Sequence, residues 1–329
     1  MGTDGLSTGA FRHEALLYAG EADFLDRTLP FLIEGAEAGE PTLVVVDEVK
    51  IGRLRRALDG HADAIRFADM AAVGANPARI IPTWHRFVAD HAGLGRPIRG
   101  IGEPVWPGRT ADELVECQRH EALLNLAFAG APSFRLVCPY DVETLPPAVI
   151  EEARRTHPVV GARASDDFLG LDAVAAPFDA PLPDGPAGCD WMEFGARRLG
   201  AVRRFVIREA ERSGLAWTRI DALVVAINEL ATNSVRHGGG RGTVAAWQGP
   251  GTFVVEVRDR GRIDDPLAGR SSPGLGNEGG RGLWIVNQLC DLVQMRTLDD
   301  GTVVRVHMHL VPTPPSSTAS GSAGSRSRR

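Results

Sequence analysis

Short apolar runs alternate with longer stretches of helical period along residues 11–160. HEALLYAG, PTLVVVDE, AIRFADM, PIRGIGE and FRLVCPYD read as short buried strands. FLDRTLPFLIEGAEAG, IGRLRRALDG, ARIIPTWHRFVADHA and DELVECQRHEALLNLAFAG read as the helices between them. Such alternation predicts a parallel α/β sheet covered on both faces, in a first domain spanning 1–160.

The texture then changes. Residues 161–190, ending APFDAPLPDGPAGCD, are rich in Pro, Asp, Gly and Ala, and a linker with one ordered turn is expected. From 191 to 311 two helices come first, MEFGARRLGAVRRFVIREAERSG and TRIDALVVAINELATNSVRHG. The strands GTVAAWQ and TFVVEVRDRG follow, then a Gly-rich loop, the helix RGLWIVNQLCDLV and the strands QMRTLD and TVVRVHMHL. Grouped helices and strands joined by short turns predict an α+β sandwich on one mixed or antiparallel sheet. The tail 312–329, PTPPSSTASGSAGSRSRR, is of low complexity and is expected to be disordered.

The second helix of that domain carries an unusual polar face. At about 100° per residue, Ile220, Leu223, Val224, Ile227 and Leu230 form one apolar stripe. Glu229, Asn233 and Arg236 share a narrow sector on another side, with His237 at its edge and Ala222, Val225 and Ala226 in or beside it. A solvated face usually carries long charged side chains throughout. Small residues around one carboxylate and one amide suit a face that something approaches closely. Taken alone, the helix is compatible with either reading.

Composition removes several alternatives. Hydrophobic residues make up 43% of the chain and charged residues 24%, an ordinary globular balance. No run approaches the roughly 20 apolar residues of a membrane span. The first residues, MGTDGLSTGAFRHEA, lack a basic region followed by an apolar core, so a cytoplasmic location is expected. A net charge of −6 gives no electrostatic reason to expect nucleic-acid binding. Cys117, Cys138, Cys189 and Cys290 are far apart with no paired short spacing, which argues against a zinc site or a disulfide framework and for reduced thiols. Lys50 is the only lysine, and its context VVVDEVKIG is not a phosphate-binding P-loop. Any phosphate chemistry must use another apparatus.

Downstream segments supply one. FVVEVRDRG is an alternating strand that ends in Asp259, one intervening residue and Gly261. A carboxylate at a strand end can accept from an exocyclic amino group, and glycine lets a flat ring approach the backbone. GRSSPGLGNEGGRGLWIV then brings Gly269, Gly274, Gly276, Gly279, Gly280 and Gly282 into the start of a helix. Amide N–H groups in such a loop can point at phosphates beside a helix N-terminus.

The ordered set Glu229-x3-Asn233, Asp259-x-Gly261 and Gly280-x-Gly282-Leu283, with Gly301-Thr302 near the end, resembles the Bergerat-fold, or GHKL, ATP-binding domain. Within that superfamily it is most similar to bacterial anti-sigma-factor serine/threonine kinases. The resemblance covers residues 195–310 and implies ATP and Mg²⁺ as cofactors. It implies Glu229 as the general base and Asn233 as an oxygen ligand to Mg²⁺. Asp259 would accept from the adenine amino group, with Gly261 giving clearance and Thr302 supporting the contact. Gly280 and Gly282 would cradle the phosphates, within reach of His237 or Arg281. Two departures stand out: Ile263 occupies the place of a second glycine, and GARRLGAVRRFVIREAERSG has no phosphoacceptor histidine.

Residues 11–160 resemble the MEDS sensory domain, on HEALLYAGEADFLDRTLPFLIEGAEAGEPTLVVVD and GEPVWPGRTADELVECQRHEALLN. The resemblance implies a RecA-like sheet that has lost its phosphate loop. Polar groups at strand ends of an open α/β sheet are where ligands tend to sit. This marks His13, Glu14, Glu103, Trp106, Glu121 and Asn125 as candidate sensing residues. A packed loop aromatic for Trp106 and a solvated helix face for His120 and Glu121 are the plainer readings.

Together these resemblances imply an ATP-dependent regulator with a sensor for a small-molecule ligand. It would bind a sigma factor, phosphorylate a Ser or Thr of a STAS-type antagonist, and dimerise through the kinase domain. A non-catalytic ATP-binding partner switch and a histidine-kinase fragment remain as alternatives.

Overall fold

The computed structural model describes residues 11–131, 133–271 and 280–310. The expected tail 312–329 and the loop glycines Gly274, Gly276 and Gly279 lie outside the described residues.

The first half alternates strand and helix: β1 (Phe11–Tyr18), α1 (Gly20–Glu37), β2 (Thr42–Val46), α2 (Glu48–Ala57), β3 (Ile65–Asp69), the single turn α3 (Met70–Val73), α4 (Ile80–His91), β4 (Ile98–Gly102), α5 (Ala111–Ala127), β5 (Phe134–Asp141) and α6 (Pro147–Thr156). Two short strands follow, β6 (Val159–Val160) and β7 (Arg163–Ala164). Their sheet runs β3-β2-β4-β5-β1-β6-β7. It is parallel except for β6 and β7, which pair antiparallel, so the sheet is mixed where an all-parallel one was expected. β2 is buried at every position, as a strand covered on both faces must be.

The second half contains β8 (Asp190–Gly195), α7 (Leu199–Arg212), α8 (Trp217–His237), β9 (Arg241–Gly249), β10 (Thr252–Asp259), α9 (Arg281–Leu289), β11 (Leu292–Leu298) and β12 (Gly301–His309). Its sheet, β11-β12-β10-β9-β8, is antiparallel throughout. Two expectations need correction here. MEFG was read as the start of a helix, yet it forms the edge strand β8, paired with β9 from Asp190 opposite Ala246 to Gly195 opposite Arg241. The last helix ends at Leu289, not Val293, because the chain turns after Cys290 into β11.

The apolar stripe of α8 packs on one face of this sheet. Ile220, Leu223, Ile227 and Leu230 share a core with Val202, Phe205 and Val206 of α7 and with Phe253, Val255 and Val257 of β10. The opposite face is buried but polar. Glu256, Gln294, Arg296, Arg305 and His307 all lie beneath other chain segments. The 161–190 stretch provides part of this cover: Arg305 donates to the Pro183 carbonyl at 2.6 Å, and Val174 and Phe178 pack against Ala122 of α5. It has more fixed contacts than a linker with one ordered turn would have.

α5 provides the rest of the cover. It is buried nearly all round, including Glu116, Arg119, His120 and Glu121. The expected solvated face for His120 and Glu121 is therefore wrong: each is 1% exposed. The helix lies between two sheets, and a local pattern does not reveal a second partner. Glu116 receives Arg296 at 2.8 Å and Arg270 at 3.4 Å, while Arg119 donates to the Met295 carbonyl at 2.7 Å. Nearby, Arg79 donates to the carbonyls of Asn287 (2.8 Å) and Cys290 (2.9 Å), and Asn76 also reaches Asn287. A side chain from the first half thus satisfies carbonyls that the C-terminus of α9 leaves unpaired.

Candidate functional site

The last turns of α8, the end of β10 and the start of α9 enclose a cleft of about 290 Å³. Asn233, His237, Asp259, Gly261, Gly280, Gly282 and Thr302 line it, so seven residues picked from the sequence meet in one place. Leu230, Val257 and Val304 give it an apolar floor suited to a flat ring.

Asp259 stands at the end of β10, and both its oxygens are engaged. Oδ2 accepts from the Ser234 hydroxyl at 2.6 Å, and Oδ1 accepts from the Gly261 amide at 2.7 Å. Thr302 faces Asp259 across the β10–β12 register, and its hydroxyl donates to the Gly261 carbonyl at 2.8 Å. A side chain at Gly261 would place Cβ 2.8 Å from the His237 carbonyl and 3.0 Å from Asp259 Oδ1. Only glycine lets the turn close against the end of α8.

Glu229 and Asn233 meet α9 through Gly282. A Cβ there would stand 3.0 Å from Glu229 Oε2 and 3.2 Å from Asn233 Nδ2. The polar sector of α8 is thus the surface on which the first turn of α9 rests, and the missing side chain leaves a carboxylate and an amide beside the cleft. His237 lines the cleft and is exposed; Arg281, between the lining residues Gly280 and Gly282, and Arg236 are exposed but not part of the lining.

Ser234 was not singled out from the sequence. A signal existed: 234 continues the apolar stripe 220, 223, 227, 230, and a hydroxyl on a buried stripe needs a partner. A larger groove of about 490 Å³ shares Asp259 and runs along β8, lined by Arg198, Arg241, Arg258 and Arg260. Of the site residues picked from the sequence it gathers only Asp259, without Asn233, His237, Gly261, Gly280, Gly282 or Thr302.

The candidate sensing residues separate into four places. His13, Glu121 and Asn125 converge between the first sheet and α5: His13 Nε2 is 3.0 Å from Glu121 Oε2 and Nδ1 is 3.1 Å from Asn125 Oδ1. They lie beneath the sheet face, not at the strand ends where they were expected. Glu103 accepts from Tyr18 at 2.8 Å and from Lys50 at 2.7 Å, and burial raises its carboxyl above the usual range. Glu14 accepts from Arg12 and from the Ala162 amide. Trp106 is stacked under the Arg109 guanidinium at 3.6 Å, a packed loop aromatic.

Residues 12–158 match the family model described as MEDS, the methanogen/methylotroph, DcmR sensory domain. Residues 193–308 match the family model described as a histidine kinase-like ATPase domain. No curated protein matches the chain. No described helix is long and apolar enough to cross a membrane.

Proposed function

Since the chain joins a MEDS sensory domain to a histidine kinase-like ATPase domain, we propose that it is an ATP-dependent regulatory kinase of the anti-sigma-factor type. In this reading it binds a sigma factor and phosphorylates a Ser or Thr of a STAS-domain antagonist, under control of a small-molecule ligand of the first half. The observation that carries the proposal is the meeting of Glu229 and Asn233 with Gly282 beside the cleft anchored by Asp259.

The residues fit the cofactors. Asp259, oriented by Ser234 and the Gly261 amide, keeps lone pairs for an adenine amino group. The Asn233 carbonyl is a hard oxygen of the kind Mg²⁺ prefers. When bound, ATP supplies the phosphoryl group and Mg²⁺ offsets its charge. Glu229 would take the proton of the incoming hydroxyl, and the backbone at Gly280 and Gly282 would approach the phosphates, with His237 in the lining and Arg281 between those glycines. Positioning supplies much of the acceleration in such transfers.

Two further features support the reading. We take the first half as a RecA-like layer without phosphate chemistry, since Lys50 is committed to Glu103. Control by this half has a physical route: α9 borders the cleft with its first turn, and Asn76 and Arg79 hold its far end.

The test is transfer of radiolabelled phosphate from ATP to STAS-domain proteins encoded in the same genome, with the modified residue mapped. Glu229→Ala should lower transfer by about 10²–10⁴-fold, as loss of a general base does, and leave nucleotide affinity within a few-fold. Wild-type transfer by that variant would overturn the mechanism. Nucleotide binding without labelling of any antagonist would favour a switch that only binds ATP.

A further inference from the structure

The first half holds a second polar centre, which the nucleotide chemistry does not use. His13 on β1, Glu121 on α5, Cys138 on β5 and His157 just after α6 each offer one ligand atom, all within 4.8 Å of one another. All four are 0–1% exposed.

Hydrogen bonding assigns the tautomer of each histidine. The Asn125 amide nitrogen donates to the carbonyls of Glu121, Ala122 and Thr156, which turns its Oδ1 towards His13 Nδ1 at 3.1 Å. His13 therefore carries its proton on Nδ1, and Nε2 presents a lone pair. His157 Nδ1 faces the Ala153 carbonyl at 2.8 Å, so its Nε2 is likewise bare. Both lone pairs point at one carboxylate oxygen: Glu121 Oε2 is 3.0 Å from His13 Nε2 and 3.3 Å from His157 Nε2. The second contact is not aligned as a hydrogen bond, and both His157 Nε2 and Glu121 Oε1 are buried without a hydrogen-bond partner. Among the described residues the Cys138 thiol, 3.3 Å from His13 Nε2, is the one side-chain donor beside these acceptors.

Three lone-pair donors around one weak donor is a poor hydrogen-bond network and a good cation site. We propose that His13, Glu121, Cys138 and His157 bind a divalent first-row transition metal of the Zn²⁺ class. Two imidazoles, a carboxylate and a thiolate form a four-ligand N₂OS set; three of the ligand-atom pairs are 3.0–3.3 Å apart and all four atoms lie within 4.8 Å, so modest shifts would let them surround a cation. The outer shell has the form such sites require, because each ligand histidine gives its other N–H to an amide or backbone oxygen. Uptake replaces the Cys138 S–H bond with a sulfur–metal bond and releases that proton to solvent. The bound metal would join both central strands to α5, the helix whose Glu116 holds Arg270 and Arg296.

The test uses the full chain, stripped with a chelator and reloaded with Zn²⁺ or Co²⁺. One equivalent of zinc should survive gel filtration, thermal stability should rise on loading, and about one proton should be released per metal. The cobalt form should show an intense thiolate-to-metal band, lost in Cys138→Ser, and Asn125→Ala should weaken zinc binding about 10–100-fold. Wild-type protein that retains no stoichiometric zinc and gives no such band overturns the proposal, and that result depends on no variant. Zinc held equally by wild-type and a folded Cys138→Ser overturns this ligand set.

Discussion

The Ser234 hydroxyl donates to Asp259 Oδ2 at 2.6 Å, tying the end of α8 to the end of β10 where the cleft opens. The bond makes Asp259 an oriented acceptor, and each partner can be removed separately. Ser234→Ala should weaken ATP binding by about tenfold, the worth of one hydrogen bond to a charged group. Asp259→Asn should weaken it further, because an amide places a donor where an acceptor is needed. Titration calorimetry with a non-hydrolysable nucleotide measures both, and equal affinity for wild-type and Asp259→Asn would remove the aspartate from the adenine contact.

Gly282 sets the distance between α8 and α9. In Gly282→Ala the new methyl would meet the Glu229 carboxylate at 3.0 Å and the Asn233 amide at 3.2 Å, so α9 must back away or both side chains must turn. Phosphotransfer should fall by at least about tenfold even if nucleotide binding persists, since catalysis tolerates misplacement poorly. Unchanged transfer would show that the contact is incidental.

Glu116 is the shared counter-ion of Arg270 and Arg296, and all three side chains are buried. Removing it leaves two cations beneath the sheet without their carboxylate. Glu116→Ala should cost about 3–5 kcal/mol, the range for breaking a buried pair from one side. Chemical denaturation of the full chain reads this directly, and a loss under about 1 kcal/mol would mean that water reaches the site.

His307 lies on the buried polar face of the second sheet and pairs with Gln294 Oε1 at 3.0 Å. Burial lowers its pKa from 6.5 to about 4. Between those values the unfolded chain binds a proton that the folded chain refuses. Stability from this group is full above pH 6.5 and is lost as the pH falls towards 4. His120, lowered to about 3 by burial, acts in the same direction. Thermal melts from pH 7 to pH 4 should show a falling midpoint, and His307→Gln should make the fall shallower.

The cleft between α8, β10 and α9, the proposed nucleotide site, was largely legible in the sequence because its parts are local. Glu229 and Asn233 are one turn apart on a helix, and Asp259 and Gly261 are separated by one residue at a strand end, so spacing alone suggests their geometry. Ser234 was harder to find, since its importance comes from burial against a strand 25 residues away. Only half of the four-residue cluster in the first half was in view: His13 and Glu121 were among the candidate sensing residues, whereas Cys138 and His157 were not. Positions 13, 121, 138 and 157 share no spacing, and arguing against zinc from scattered cysteines tests only motifs contained in one short segment. β8 was misread for a related reason: an edge strand takes its identity from the neighbour it pairs with.

The Glu116 pairing bears on how such a protein could be rearranged in evolution. Sensor and output domains are often imagined as interchangeable parts on a common string. Here Arg296 on β11 and Arg270, in the segment between β10 and α9, have their charges balanced by Glu116 on a helix of the first half. A different sensor could not be grafted in front of residue 191 unless it brought a carboxylate to the same place. The two halves must therefore change together, and a substitution on α5 can be selected for its effect on either one.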